Sequence, residues 1–542
     1  MGFVDDWPYI LSARTLAATG HIVYNGWATA MLGWQLYLAA AFFKLFGYSL
    51  TTARMSTLFV SAALAFFMQR IMVRTGISER NATIGTLALI FSPLYLMLSV
   101  TFMTDIPGLF SVVLCFYGCL RALVASTGRA IIGWLCFAVA TNAICGTSRQ
   151  IEWLGVLVMV PSTLWLLRSR QRVLIAGAAA TLNGIIFIFA CMRWYARQPY
   201  TLPEHLLPDS FPVAKALTQL SHSLLDIPFL LLPIVALFIL PLRRISTRGI
   251  ILISAAILAY LFLALYPSHL RGDFPLEPVL GDWINVHGVF EAVFIQGTPP
   301  SYINTAMRML FTIASFGGLL GLIALLLRPQ AAPPAPSSHG VSWYQLLVLT
   351  VPFALANLLL LLPRAATYGL TERYALSLLV VALPCLVRYY QDRVQPQLPF
   401  ISIVLVAIMA IFAITLTHNL FSFYRARVAL VSELHAAGIS DTSVDNGWEY
   451  NTGVELQHAS YINTSRMALP AHAYVPAPPL PAGTCPMNDY DAFPHIRPSY
   501  GVSFTPDACY GPAPFAPVHY SRWPYRTPGT LYVVRYIPPP KS

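Results

Sequence analysis

Residues 82–103, ATIGTLALIFSPLYLMLSVTFM, and residues 106–124, IPGLFSVVLCFYGCLRALV, are two apolar runs parted only by Thr104 and Asp105. A helix needs ~20 apolar residues to cross the hydrocarbon core of a bilayer. Two runs of that length with so short a connection predict a helical hairpin whose turn surfaces on one face of a membrane. Working outward, similar runs occupy about 51–72, 130–147, 151–167, 173–192, 223–241, 249–267, 305–327, 344–362, 375–390 and 398–417. The expected fold is therefore an all-α polytopic membrane protein with about twelve spans. The segment 28–47, ATAMLGWQLYLAAAFFKLFG, is read as a helix lying in the interface, because Lys44 and its aromatic residues suit that depth.

Composition agrees. Of 542 residues, 57% are hydrophobic and only 10% are charged, against roughly 25% charged in soluble domains. So few charges cannot cover a water-facing surface, and most of this surface must face lipid. The net charge of +11 does not indicate a nucleic-acid partner, because the arginines fall in short loops between apolar runs. One set of alternate loops carries Arg70, Arg74 and Arg80; Arg121 and Arg129; Arg168, Arg170 and Arg172; Arg243, Arg244 and Arg248; Arg328; and Arg388 and Arg393. The excess of basic residues assigns these loops to the cytoplasm. The other set comprises the first ~50 residues, the turn at Thr104–Asp105, the segments 193–222, 268–304 and 363–374, and everything after 418. It then faces the periplasm or its equivalent. The chain divides into a first outer loop with an interfacial helix (1–50), a transmembrane helical domain (51–417) and a small extracytoplasmic tail (418–542). The tail is rich in Pro and Tyr beyond 470 and is expected to be loop-rich rather than helical. The stretch 329–340, PQAAPPAPSSHG, is a cytoplasmic linker.

With twelve spans both ends lie outside, yet residues 1–27 hold no signal peptide. One helix upstream of this reading frame is the expected explanation. Among the cysteines, Cys115, Cys119, Cys136, Cys145, Cys191 and Cys385 lie in apolar stretches and read as packing residues. Cys485 and Cys509 stand alone in the polar tail and could form a disulfide if the tail is outside.

Acidic residues are scarce, so their positions matter. Asp5 and Asp6 stand together before an amphipathic run, and Asp105 sits in the tight turn TFMTDIPG. All fall on the outer face. Charges at a membrane surface are costly unless paired or hydrated, and adjacent carboxylates can supply a general base and position an acceptor or a metal. The plainer alternative is helix capping for each: Asp5–Asp6 precede a helix, and Asp105-Ile106-Pro107 puts Pro in a first turn. Arg54, Arg149 and Arg373 also lie on the outer side, where positive charge is under-used. They either snorkel or pair with local acids such as Glu152 and Glu372, or they hold an anionic lipid phosphate, a task suited to the planar guanidinium fork. Loop 268–304 adds His269, Arg271, Asp273, Glu277, Asp282, His287 and Glu291, whose spacing fits no ligand motif. Asn463-Thr464-Ser465 matches a glycosylation acceptor. No phosphate-binding GxxxxGK[ST] loop and no Ser/His/Asp elbow occurs.

The ordered series DDWPYILSARTLAATG (5–20), KLFGYS (44–49), TTARMSTLFVSAALAFF (51–67) and SPLYLMLSVTFMTDIPGLF (92–110) resembles the start of GT-C superfamily glycosyltransferases. The similarity is to the branch of protein O-mannosyltransferases and aminoarabinose transferases. TERYALSLLVVALP (371–384) resembles that branch's Arg-Tyr motif before a late span, and GWEYNTG (447–453) resembles tail segments of bacterial members. The resemblance is fullest over 1–125. It departs where Asp5-Asp6 stand in place of the branch's Asp-Glu, and where Gly33-Trp34-Gln35 replace a Pro-rich signature. It implies one further helix before the acidic pair, making thirteen spans, and a polyprenyl-phosphate-linked sugar donor, with a hexose such as mannose leading. Transfer would go to a protein or a lipid or glycan acceptor on the outer face of a bacterial inner membrane, with inversion. It implies Asp5 as general base, Asp6 and Asp105 as residues that orient the acceptor, hold a cation or position the base, and Arg54, with Arg149 and Arg373, as ligands of the departing phosphate. A divalent cation stays open. The competing readings are a lipid or solute transporter, a polysaccharide polymerase or ligase, and an inactive family member.

Overall fold

The computed structural model describes residues 2–202, 211–244, 247–265, 275–289, 295–328, 340–367 and 369–538. His269, Arg271, Asp273, Glu291 and most of the 329–340 linker lie outside the described residues, as do the side chains of Arg243 and Arg244.

The chain is a multi-pass integral membrane protein. Two short helices open it, α1 (Asp6–Thr19) and α2 (Gly33–Phe46). With 14 residues each they are too short to span, which suits the interfacial placement of α2. Helix α3 (Leu50–Arg74) is the first long apolar helix, and Ser49 caps it by accepting the Thr52 N–H at 3.0 Å. The run at 82–103 forms a bent pair rather than one rod. Helix α4 (Glu79–Ile90) and α5 (Pro93–Ser99) meet at 72°. Pro93 has no N–H and its ring excludes the preceding turn, so the helix breaks at Phe91–Ser92. Helix α6 (Asp105–Val124) returns and packs on α7 (Gly128–Cys145) and α3.

The next crossing, Gln150–Leu166, is irregular: a 3-10 turn (Gln150–Trp153), a π turn (Gly155–Met159) and α8 (Val160–Leu166). Asn142 of α7 fills the irregularity by donating to the Glu152 carbonyl at 3.0 Å and accepting from the Val156 N–H at 2.8 Å. Helix α9 (Gln171–Tyr195) follows, then a second bent pair, in which α10 (Val213–Leu230) and a segment opening with α11 (Leu232–Val235) meet at 70°. Helices α12 (Thr247–Leu265), α13 (Thr305–Leu326), α14 (Trp343–Thr367), α15 (Leu376–Arg393) and α16 (Phe400–Ala436) complete the bundle. Eight helices are long and apolar enough to span, or ten with each bent pair taken as one crossing. The runs at 151–167 and 249–267 form shorter apolar helices.

Helix α16 does not stop at 417. Its 37 residues measure about 55 Å at 1.5 Å per residue, far beyond a ~30 Å hydrocarbon core. The far end supports the tail, which is more ordered than its composition suggests. Helix α17 (Gly447–Ala459) and strands β3 (Val444–Asp445), β4 (Tyr500–Ser503), β5 (Val518–Arg522) and β6 (Tyr525–Arg535) form it, after a short hairpin, β1 (Ile284–Asn285) and β2 (Gly288–Val289), in the 275–289 loop. The sheet order is β3-β4-β6-β5, with β3 and β4 parallel and the others antiparallel. The β5–β6 hairpin is tied to α16 by Asn419, whose amide donates to the Trp523 carbonyl and accepts its N–H, both at 2.7 Å. Cys485 and Cys509 are bridged.

Arg70, Arg74, Arg121 and Arg388 of the arginine-rich loops gather at one end of the bundle. Arg70, Arg74, Arg121 and Gly340 line one cleft there, Arg388 donates to the Val341 carbonyl at 2.8 Å, and Asn81 donates to Gln391 at 2.9 Å. Asp5, Asp6, Arg54, Asp105, Arg149 and Arg373 gather in ion pairs at the opposite end of these helices.

Candidate active site

Asp5 precedes the first residue of α1 but makes no capping hydrogen bond, so its side chain is free for other work. Its Oδ1 accepts the Trp27 indole N–H at 2.7 Å, and its Oδ2 lies 3.9 Å from Arg373. Burial raises its pKa above the ordinary carboxylate range, while the Arg373 charge and the Trp27 hydrogen bond pull it down. Asp105 opens α6 without capping it. Its Oδ1 pairs with Arg149, and its Oδ2 lies 3.9 Å from the same Arg373. That oxygen is buried and has no hydrogen-bond partner. Arg373 therefore stands between two carboxylates that are 100 positions apart in sequence (5 and 105).

Among the described residues neither Arg149 nor Arg373 takes the acid nearest to it in sequence as its ion-pair partner, although the Arg149 charge still acts on Glu152. Arg149 turns to Asp105 rather than Glu152, whose Oε2 instead accepts the Ser377 hydroxyl at 2.6 Å. Glu372 accepts the backbone N–H groups of Asp282 and Trp283 at 2.9 and 2.8 Å, leaving its neighbour Arg373 to face the aspartates. The close seat of Arg149 requires Gly108, where a Cβ would lie 2.8 Å from the Arg149 Cβ.

Asp6 does something different. It is fully buried; its Oδ1 accepts the Phe102 N–H at 2.9 Å, its Oδ2 accepts the Phe3 N–H at 3.3 Å, and Arg54 lies at 3.7 Å. Burial pushes its pKa up to about 7, against the opposing Arg54 charge and the two N–H donors. Arg54 is thus on Asp6, not in the Asp5–Arg373–Asp105–Arg149 chain.

Aromatic faces complete the cluster. Tyr374 has the Arg149, Arg364 and Arg373 guanidinium carbons 4.7, 4.6 and 5.5 Å from its ring centre, and Arg373 also lies 4.9 Å from that of Trp283. Cations held over ring faces keep their charge while shedding water. Below, Tyr424 and Arg427 of α16 hold Glu449 of α17 at 2.5 and 2.9 Å. Phe3, packed between Tyr424 and Trp283 at 6.2 and 5.5 Å, links this group to the site.

Of the candidates in loop 268–304, Asp282 lies beside the cluster, where the Arg373 charge opposes the rise that burial gives its carboxyl pKa, while Glu277 and His287 lie elsewhere. Glu277 is fully buried beside Asp226, and burial raises its pKa well above the ordinary value. Asp282 contributes its backbone N–H to Glu372, and His287 faces the Pro300 carbonyl at 3.3 Å. Asn463 is 3% exposed, and its amide is spent on the Val475 and Asp491 carbonyls. Among the described residues no three His, Cys, Asp or Glu side chains group as metal ligands.

No family model matches the chain, and no curated protein matches it in sequence. Solved structures of GT-C glycosyltransferases are similar in chain course. ArnT from Cupriavidus metallidurans bound to undecaprenyl phosphate aligns with a TM-score of 0.41 at 14% identity, over 100% of this chain and 95% of that one. The same protein in its apo state aligns at 0.33 and 16%, over 72% and 73%. Arabinosyltransferase EmbB from Mycobacterium smegmatis aligns at 0.30 and 14%, over 76% of this chain and 39% of that one. With every TM-score below 0.5, the overlap carries no argument about activity, and the chemistry rests on the side chains.

Tyr374 is the tyrosine of the Arg-Tyr motif in TERYALSLLVVALP; sequence reasoning missed Arg364, Trp283, Trp27 and the Arg427–Glu449 pair. Arg364 had a signal: it falls in LLPRAATYG, on the outer side where arginine is scarce.

Proposed function

We propose that this chain is a membrane glycosyltransferase that uses a polyprenyl-phosphate-linked sugar, a hexose such as mannose, and passes it with inversion to a hydroxyl of a protein or of a lipid or glycan acceptor. The observation that carries the reading is Arg373 suspended between Asp5 and Asp105 with Arg149 alongside. A carboxylate beside guanidinium groups supports a reading in which Asp5 is the base and Arg149 and Arg373 bind the phosphate.

The steps follow from the geometry. Asp5 Oδ1 is occupied by Trp27, so Oδ2 receives the acceptor hydroxyl proton. Burial makes that oxygen a stronger base than an exposed aspartate. The freed acceptor oxygen forms a bond to the anomeric carbon. The bond from that carbon to the phosphate oxygen breaks, and its electron pair leaves with the polyprenyl phosphate. Arg149 and Arg373, with Arg364 over the same tyrosine, stabilise the charge that grows there. Asp105 orients Arg149 and Arg373. Asp6 and Arg54 act one step back, fixing the segment that carries Asp5.

We place the site on the periplasmic face of a bacterial inner membrane. The arginine-rich opposite end belongs in the cytoplasm, and the Cys485–Cys509 bridge of the tail belongs in an oxidising compartment.

Membranes from cells expressing the chain, supplied with radiolabelled polyprenyl-phosphate mannose, glucose or arabinose, test the proposal with Asp5→Asn as the blank. Donor-dependent label that falls by roughly 10²–10⁴ in the variant supports transfer and its base. Equal label in the variant removes Asp5 from that role. Absence of label from all three donors in well-inserted protein turns the reading to the transporter.

A further inference from the structure

The end of the bundle remote from the candidate site holds a cleft of about 730 Å³ between α3 and α6. Arg70, Arg74 and Arg121 line it, against a single acid, Glu79. Glu79 pairs with Arg70 at 3.5 Å, with both side chains largely exposed. Arg121 donates to the Tyr117 hydroxyl at 3.2 Å and lies 4.4 Å from the Trp134 ring centre. Arg74 makes no ion pair among the described residues. The cleft thus carries two more positive charges than negative ones.

Its walls point to the source of a counter-charge. On α3, Met55, Leu58, Phe59 and Phe66 are exposed at helical spacing. That stripe faces lipid and ends at Phe66, which lines the cleft one turn before Arg70. On α6, exposed Val124 lines it one turn beyond Arg121. The cleft therefore opens on the bilayer at headgroup depth, with acyl-facing surface leading into a basic pocket.

We propose that this cleft binds the phosphate headgroup of an anionic glycerophospholipid, with Arg74 and Arg121 as its ligands and the Phe66 stripe under the acyl chains. The charge excess attracts an anion, and basic pockets between spanning helices at the cytoplasmic surface suit lipid headgroups. The inference is independent of the glycosyltransferase reading, because these residues lie at the other end of the helices.

Native mass spectrometry of the full chain in detergent, with phosphatidylglycerol, phosphatidylcholine and inorganic phosphate as probes, tests it. Retention of phosphatidylglycerol roughly tenfold or more over phosphatidylcholine is expected, with a loss of roughly fivefold per arginine in Arg74→Gln and Arg121→Gln. Arg74→Lys and Arg121→Lys should keep most of the preference, which separates charge from folding. Equal retention of the two lipids, or glutamine variants that keep the preference, overturns the proposal. Inorganic phosphate binding as tightly as phosphatidylglycerol also overturns it, in favour of a soluble anion.

Discussion

Replacing Arg373 with Gln removes the cation that Asp5 and Asp105 share among the described residues and keeps a polar side chain in its place. Each carboxylate oxygen lies 3.9 Å from its guanidinium. At an effective dielectric constant of 20, a charge pair at that distance is worth about 4 kcal/mol before desolvation. Burial already raises the Asp5 pKa, and Arg373 is the largest influence opposing it. Without Arg373, Asp5 also feels Asp105 more strongly, and both effects act upward. A carboxylate beside an arginine is ordinarily depressed by 1–3 units, so the acid limb of the rate profile should climb by roughly 1–3 pH units in Arg373→Gln. The maximal rate should also fall, by about 10²–10³, for loss of a donor at the developing phosphate charge. Initial transfer rates across pH 4.5–9 on inserted wild-type and variant protein measure both. Arg373→Lys separates them: it keeps the charge, and so most of the pH profile, but loses the fork and the stacking over Trp283 and Tyr374. An unmoved acid limb together with a rate within threefold of wild type would refute the bridging role.

Two further outcomes are expected. Asp6 has its pKa raised to about 7 in the folded chain, roughly three units above an ordinary aspartate. The folded state therefore favours its protonated form, and the stability it contributes is present below about pH 4 and is lost as pH rises through 7. Its contribution to the slope, of order 4 kcal/mol at most, should vanish in Asp6→Asn, flattening melting temperature against pH between 4 and 8. Cys485 and Cys509 should resist thiol labelling in intact unreduced membranes and become reactive after reduction; labelling of both beforehand contradicts the bridge.

The membrane fold was legible because a span needs only length and apolarity, and both can be counted along the chain. The bends were less so. The run at 82–103 is apolar throughout, and only Pro93 marks the place where it turns by 72°. The apolar run 398–417 implies a span ending near 417. The helix continues because Leu420, Phe423, Tyr424, Leu430 and Leu434 stay buried in the main core, which runs on past the apolar run to Val444, Val502 and Leu531 of the tail, and a hydropathy profile cannot distinguish this from a helix ending at the membrane surface. In the site, Asp5, Asp105, Arg149 and Arg373 stood out because charge is rare in this chain and theirs fell on the under-charged side. Their partners were hidden: Glu152 and Glu372 are nearer in sequence but are committed to Ser377 and to a loop backbone.

The bend between α4 and α5 also explains why two adjacent aspartates differ in task. After α5 ends at Ser99, the backbone from Val100 to Thr104 is non-helical, and Thr101 to Thr104 are buried. Backbone groups at membrane depth must be satisfied by protein where water is absent. Asp6 takes the Phe102 N–H at 2.9 Å, and Gln35 of α2 donates to the Phe102 carbonyl at 3.0 Å. Both come from the first outer segment, so the broken crossing and that segment hold one another. Three residues beyond Phe102, at the start of α6, is Asp105, and the residue before Asp6 is Asp5. A latch at Asp6 thus sets the spacing of Asp5 and Asp105, and Arg373 occupies the gap it leaves. Asp6→Asn keeps an acceptor for Phe102 and should leave that spacing, and turnover, largely intact. Asp6→Ala removes the acceptor, strands a buried N–H at a cost of about 1–3 kcal/mol, and should lower turnover without altering the base. If Asp6→Ala and Asp6→Asn proved equally active and equally stable, the latch would have no part in placing the site.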